Sequence, residues 1–220
     1  MKHKGRDMAN SRKTYSREML FMIVGQDGVG KSAIVVRYLT HRFIGDYDPQ
    51  LESVYSHMTK IDDQSILLKL WDTAGENQTE DNDRHEQIRK CDGFIFVFSL
   101  TDRDSFNCMK ELRDRIIRIR QPNDKIVHSI VIGNKSDLSH FRSVDSSEGA
   151  LFAKELGGQY YEMSASDGYL DIVDAFQDLY REIFRSEKRA KVKKITARLQ
   201  LRQTIRNFTD RHIRARTYTL

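Results

Sequence analysis

Proline and cysteine are nearly missing from this 220-residue chain, which holds two of each. Two prolines exclude a proline-rich linker or stalk. Cys91 and Cys108 are too few and too far apart for a disulfide framework or a zinc knuckle, and they fit a reducing compartment. Long apolar runs are missing too. The longest strongly apolar stretch, Phe94-Ile95-Phe96-Val97-Phe98, is far shorter than the ~20 residues a membrane-spanning helix needs. No apolar stretch follows the basic N-terminus, so no secretory leader is expected.

What is present suits one folded domain with extensions: 39% hydrophobic and 31% charged residues. The net charge of +5 is unevenly spread. Residues 1–17 carry +5 and residues 185–220 carry +10, which leaves −10 on residues 18–184. An acidic body with two basic arms is not a basic nucleic-acid-binding domain; the arms could meet phosphates or acidic protein. The organisation read from this is a flexible arm over 1–17, a domain over 18–185 and a basic tail over 186–220. No internal repeat is visible.

The apolar run Leu20-Phe21-Met22-Ile23-Val24 ends at Gly25 and predicts a buried strand. Further strands are predicted near 53–60, 65–71, 94–98, 126–132 and 159–163. Helices are predicted over 31–40, 105–120, 146–156 and 169–184. The second of these carries Phe106, Met109, Leu112, Ile116 and Ile119 at three- and four-residue steps. Strand–helix alternation of this kind implies an α/β domain: a six-stranded, mostly parallel sheet flanked by about five helices.

Three motifs carry the chemistry. Gly25-Gln26-Asp27-Gly28-Val29-Gly30-Lys31-Ser32, followed by Ala33, fits G-x-x-x-x-G-K-[ST] between a predicted strand and a predicted helix. The glycines let backbone N–H groups wrap phosphates, and the helix N-terminus adds positive potential. Lys31 would reach the β- and γ-phosphates, and Ser32 would ligate Mg²⁺. Asp72-Thr73-Ala74-Gly75 follows an apolar strand; its Asp can hold Mg²⁺ through water and the Gly75 N–H can meet a γ-phosphate. In Asn134-Lys135-Ser136-Asp137, Asp137 can accept from both N1–H and the 2-amino group of guanine, a pair that adenine does not offer. Each tetrapeptide alone is a common charged turn. All three in order, each at the carboxyl end of a strand, point to a nucleotide site.

This combination resembles the Ras superfamily of small GTPases over residues 19–185, a P-loop G domain. The stretch from Arg42 to Ser53 resembles the first switch of the Ras branch. Together with a tail lacking a terminal cysteine, it is most similar to the group of the Ras-like estrogen-regulated growth inhibitor. The resemblance implies GTP and GDP as ligands with Mg²⁺. It places Phe43 against guanine, Tyr47 over the phosphates, and Ser164-Ala165-Ser166 as the last base-binding loop, with the Ala165 N–H on guanine O6. The family's usual lysine is absent at Ser166.

Three positions depart from the family where the γ-phosphate would lie. Gln50 stands in place of the threonine that ligates Mg²⁺ in the triphosphate state. Glu76 stands in place of the catalytic glutamine; a carboxylate accepts from water but donates nothing, and it brings negative charge towards phosphate. Asp27 stands in place of a glycine and crowds the entry of a partner's arginine. Slow hydrolysis is expected.

Two readings stay open: a slow GTPase switch, and a hydrolysis-impaired, constitutively GTP-bound scaffold. A third, nucleic-acid binding through the tail, is weaker. Effectors and regulators cannot be named. Reading the chain as it stands, Lys2 and the ending Thr217-Tyr218-Thr219-Leu220 offer no lipid anchor. That leaves at most weak membrane contact through the basic tail, and an expected cytoplasmic location with a nuclear share.

Overall fold

A computed structural model describes residues 15–43, 52–73, 82–121 and 126–217, with backbone alone for Asn82 and for 204–217. The chain divides into two compact units, residues 1–179 and 180–220.

The first unit is built on six strands: β1 (Arg17–Val24), β2 (Ser53–Ile61), β3 (Gln64–Asp72), β4 (Gly93–Ser99), β5 (Ser129–Asn134) and β6 (Gln159–Glu162). They lie in the order β2-β3-β1-β4-β5-β6. Only the β2–β3 pair is antiparallel. Five helices are described: α1 (Lys31–Thr40), α2 (Asn82–Lys90), α3 (Arg103–Arg120), α4 (Ser146–Leu156) and α5 (Tyr169–Thr217). The six-stranded α/β architecture is the one the alternation of elements implies.

Every residue of β4 is buried, as a central parallel strand covered on both faces requires. On one face Met22, Phe94, Phe96 and Phe98 pack with Met109, Ile116 and Phe152 of α3 and α4. On the other, Tyr38 of α1 and Phe176 of α5 meet with ring centroids 4.7 Å apart. Each fully buried aromatic or aliphatic side chain of this kind contributes roughly 1.5–3 kcal/mol. Edge strand β2 alternates half-buried and exposed residues along almost its whole length, because one face meets solvent.

Local chemistry sets the boundaries. The Asp102 side chain accepts from the N–H groups of Asp104 and Ser105, so α3 starts at Arg103, two residues before the predicted start. Asp145 and Glu148 form a capping box on α4. β5 starts at Ser129 rather than 126, where Phe94 of β4 becomes its ladder partner. Helix α2 is the one of the five that no sequence pattern places, since its sequence shows no apolar stripe.

In the second unit the backbone of α5 runs on to Thr217 without a break at Ser186, where the charge changes. Val192, Ile195, Leu199 and Leu201 are exposed along it. No helix among the described residues is long and apolar enough to cross a membrane.

Candidate nucleotide site

The site lies at the carboxyl ends of β1, β3, β5 and β6. β1 ends at Val24 and the chain turns through Gly25. A Cβ there would come within 2.1 Å of the Val97 carbonyl oxygen, and φ is +152°, so only glycine fits. Gly30, at φ +97°, caps α1; a Cβ there would lie 2.3 Å from Asn134 Nδ2. No side chain caps this helix, so its first N–H groups are left to whatever occupies the loop. Lys31 is almost wholly buried, and its ammonium donates to the carbonyls of Gly25 (2.9 Å) and Gln26 (3.0 Å). Asp27 places Oδ1 3.9 Å from the same nitrogen.

Asp72, the last residue of β3, is 3% exposed, and its Oδ1 has no hydrogen-bond partner. Burial raises its carboxyl above the usual carboxylate range, against the lowering effects of the Ser32 hydroxyl and the Lys31 charge; Glu52 adds to the rise. A buried carboxylate oxygen with open valence beside a serine hydroxyl is what a hard divalent cation takes. Among the described residues no three His, Cys, Asp or Glu side chains cluster. One carboxylate and one hydroxyl suit Mg²⁺, which binds through one or two protein oxygens with water and phosphate completing its shell. Thr73 Oγ1 donates to the Ile23 carbonyl at 2.7 Å and ties the end of β3 to β1.

A cleft of about 240 Å³ opens beside the loop. Gly28, Gly30, Ala33 and Phe43 form one side; Asn134, Lys135, Asp137 and Leu138 form another; Ser164, Ala165 and Ser166 complete it. The volume is below the ~300–1,000 Å³ of pockets that take a drug-sized ligand whole, as expected for one end of a longer ligand. Phe43 is half-exposed at the rim. Lys135 adopts φ +66°, and the turn it starts is closed by the Leu138 N–H on its own carbonyl at 3.1 Å. Asp137 stands exposed on that turn, facing the cleft without an ion pair among the described residues.

Asn134 holds the three parts together. Its Nδ2 donates to the Val29 carbonyl at 2.8 Å, and its Oδ1 accepts the Ala165 N–H at 3.1 Å. That N–H can reach a base oxygen only by sharing or by a turn of the asparagine. Ser164 and Ser166 join through their hydroxyls at 2.7 Å, and the Ser166 N–H donates to Ser164 Oγ at 3.1 Å.

The structure thus gathers the described residues of the three motifs, with Phe43 and the serine loop. Tyr47, Gln50, Gly75 and Glu76 lie outside the described residues. Sequence reasoning missed the ion pair between Arg84 of α2 and Glu52 beside β2, whose contacts are 2.9 and 3.0 Å. The Arg84 guanidinium also sits 5.6 Å from the centre of the Trp71 ring. Thirty-two positions separate the two partners, so no local pattern signals them.

A P-loop closed on itself by a buried lysine, an open acidic oxygen and a base-sized cleft on one sheet edge define the class. The Ras family profile matches residues 20–185, and the chain belongs to the Ras family of small GTP-binding GTPases. Among its relatives, the Homo sapiens "Ras-related and estrogen-regulated growth inhibitor" is 44% identical over 170 residues, 77% of this chain and 83% of that protein. The Mus musculus "GTP-binding protein Rit1" is 39% identical over 173 residues, 79% of this chain and 77% of the relative. The Xenopus tropicalis "Ras-like protein family member 11B" is 36% identical over 177 residues, with 78% and 71% covered.

Proposed function

We propose that this chain is a guanine-nucleotide switch that turns over GTP slowly. In this reading Lys31 meets the β- and γ-phosphates and Ser32 and Asp72 hold Mg²⁺. Asp137 reads the guanine edge, Phe43 covers the base and Ala165 closes the far side. Tyr47, Gly75 and Gln50 would face the phosphates, with Gln50 a poor metal ligand. Bound Mg²⁺ would neutralise phosphate charge; the chain's own residues orient the nucleotide and exclude water.

The observation that carries the slow rate is Asp27, whose carboxylate lies 3.9 Å from the Lys31 ammonium. An anion there repels the γ-phosphate and draws on the positive charge that a transition state rich in negative charge needs. Glu76 adds a second anion where the family carries a donating amide. Single-turnover GTP hydrolysis, with the bound nucleotide identified, tests the reading. The expected rate is no faster than the ~3–5 × 10⁻⁴ s⁻¹ of Ras without its activator, and a much faster rate sinks it. Purified protein holding only GTP, with no measurable hydrolysis, would favour the scaffold reading instead.

We place the protein in the cytosol with a nuclear share directed by residues 186–220. Support comes from the exposed basic run Lys188-Arg189-Ala190-Lys191-Val192-Lys193-Lys194. A fluorescent fusion lacking residues 186–220 should lose its nuclear fraction; an unchanged fraction refutes the assignment.

A further inference from the structure

β6 is four residues long, lies at the sheet edge and, among the described residues, pairs only with β5, yet the loop carrying Ala165 hangs from its end. Short edge strands with one partner fray readily, so something beyond the ladder must hold this one. Two main-chain bonds extend the pairing: the Met163 N–H donates to the Gly133 carbonyl at 3.0 Å, and the Ser136 N–H to the Met163 carbonyl at 3.2 Å. Tyr160 packs against the core beside Phe98, and the Tyr161 hydroxyl donates to Asp178 at 2.9 Å; the end of the strand is held by a further side chain. Glu162, the last residue of β6, accepts from Arg142 through both oxygens, at 3.0 and 2.7 Å. The Tyr160 hydroxyl donates to the same carboxylate at 2.7 Å. Arg142 Nη1 also donates to the Val144 carbonyl at 3.2 Å. Bidentate guanidinium–carboxylate pairs are the stronger and more directional kind. Both partners are less than a third exposed, so water screens this pair less than an ordinary surface pair.

The placement of this pair matters more than its strength. Arg142 ends the segment that begins with Lys135 and Asp137; Glu162 ends the strand that leads to Ala165. Arg142, Glu162, Met163 and Ser136 therefore close a ring of contacts, with Asp137 on one limb and Ala165 just beyond the other. A guanine edge needs an acceptor pair from one limb and a donor from the other at a fixed separation. Asn134 sets that separation beside the P-loop, and the Arg142–Glu162 pair sets it at the opposite end of both limbs.

We infer that Arg142 and Glu162 are positioning residues for base discrimination, fixing the distance between the acidic turn and the Ala165 loop. The inference rests on the guanine-reading role proposed for Asp137. Arg142 is the main cause of a Glu162 carboxyl lowered to about 2, so the pair stays charged through neutral and mildly acidic pH.

The test uses the full chain with Mg²⁺ and measures GDP, IDP and ADP affinities for the wild type, Arg142→Met, Glu162→Gln and Arg142→Lys. IDP lacks only the 2-amino group that Asp137 would bind. The Met and Gln variants should bind GDP about tenfold more weakly, and the GDP-over-IDP preference should fall, because one misaligned charged hydrogen bond is worth about that factor. Arg142→Lys, which keeps the charge but not the fork, should lie between, and it reads the same ratio should Arg142→Met fail to fold. If GDP and IDP weaken in equal proportion, with the preference intact and only the melting temperature lowered, the role is structural and the inference falls. A wild type that binds ADP as tightly as GDP overturns the guanine reading itself, a result distinct from an unchanged GDP/IDP ratio in the variants.

Discussion

The base end and the phosphate end of this site are built differently. At the base end, Asn134, Met163 and the Arg142–Glu162 pair cross-link the two recognition loops to each other, and Asn134 links them to the P-loop. At the phosphate end, Asp72 keeps a buried oxygen without a partner and Lys31 faces an acidic neighbour. The first arrangement favours holding one base tightly. The second leaves charge unbalanced until ligand arrives, and it places an extra anion where turnover needs positive charge. In the proposed reading, holding and hydrolysing a nucleotide are separable: Asp27, Gln50 and Glu76 depart from the family's pattern at the phosphate end, and at the base end the departure is the missing lysine at Ser166.

The largest effect that would break this contrast lies at Asp137. Asp137→Asn, which keeps one acceptor and turns the other into a donor facing the 2-amino group, should weaken GDP binding ~10–10²-fold, at ~1.5–3 kcal/mol for the lost charged bond, and shift preference towards xanthine nucleotides. Competition binding measures it, and an unchanged affinity would mean that the cleft reads another group. Next comes turnover. The double variant Asp27→Gly with Glu76→Gln should hydrolyse GTP about tenfold faster or more in single-turnover assays, with guanine preference unaltered. Equal rates would place the defect elsewhere.

The smallest effect concerns stability. Burial raises the Asp72 carboxyl, so the folded, nucleotide-free chain holds that proton more tightly than the unfolded chain does. The contribution of this one group to stability is therefore fully present below the ordinary carboxylate value of 3.8 and is lost as pH rises from there through the raised value. Asp72→Asn should remove that decline and raise the neutral-pH stability of the nucleotide-free protein by ~1 kcal/mol, about 2–4 °C in melting temperature, while loosening Mg²⁺-dependent nucleotide binding. A melting temperature that falls would show that the open oxygen is satisfied in solution.

Much of this was legible because it is local. The run 20–24, the glycines at 25 and 30 and the charged turns after β3 and β5 each mark their own place, and together they fixed the sheet and its carboxyl edge. The helix α2 was not legible: of its nine residues only Ile88 is apolar and buried. It is held from a distance by Arg120 of α3, whose guanidinium donates to the Ile88 carbonyl at 3.1 Å. The continuation of α5 beyond 184 is legible in composition. From 169 to 217 there is no proline, and no glycine either, and Lys, Arg, Ala, Leu and Gln dominate beyond 186. The change of charge read as a boundary says nothing about backbone preference. The ties at Asn134, Arg142–Glu162 and Glu52–Arg84 join positions 20 to 105 residues apart, and only folding brings them together.

The seating of Lys31 carries a kinetic consequence. A free lysine loses up to ~2 kcal/mol of rotamer freedom when it is fixed. Here the carbonyls of Gly25 and Gln26 already fix it, so that ordering is completed when the chain folds and not when a nucleotide arrives. Encounter with phosphate then needs an exchange of partners at the ammonium rather than a search for it, and association should be correspondingly quick, with residence time left to the contacts around the base.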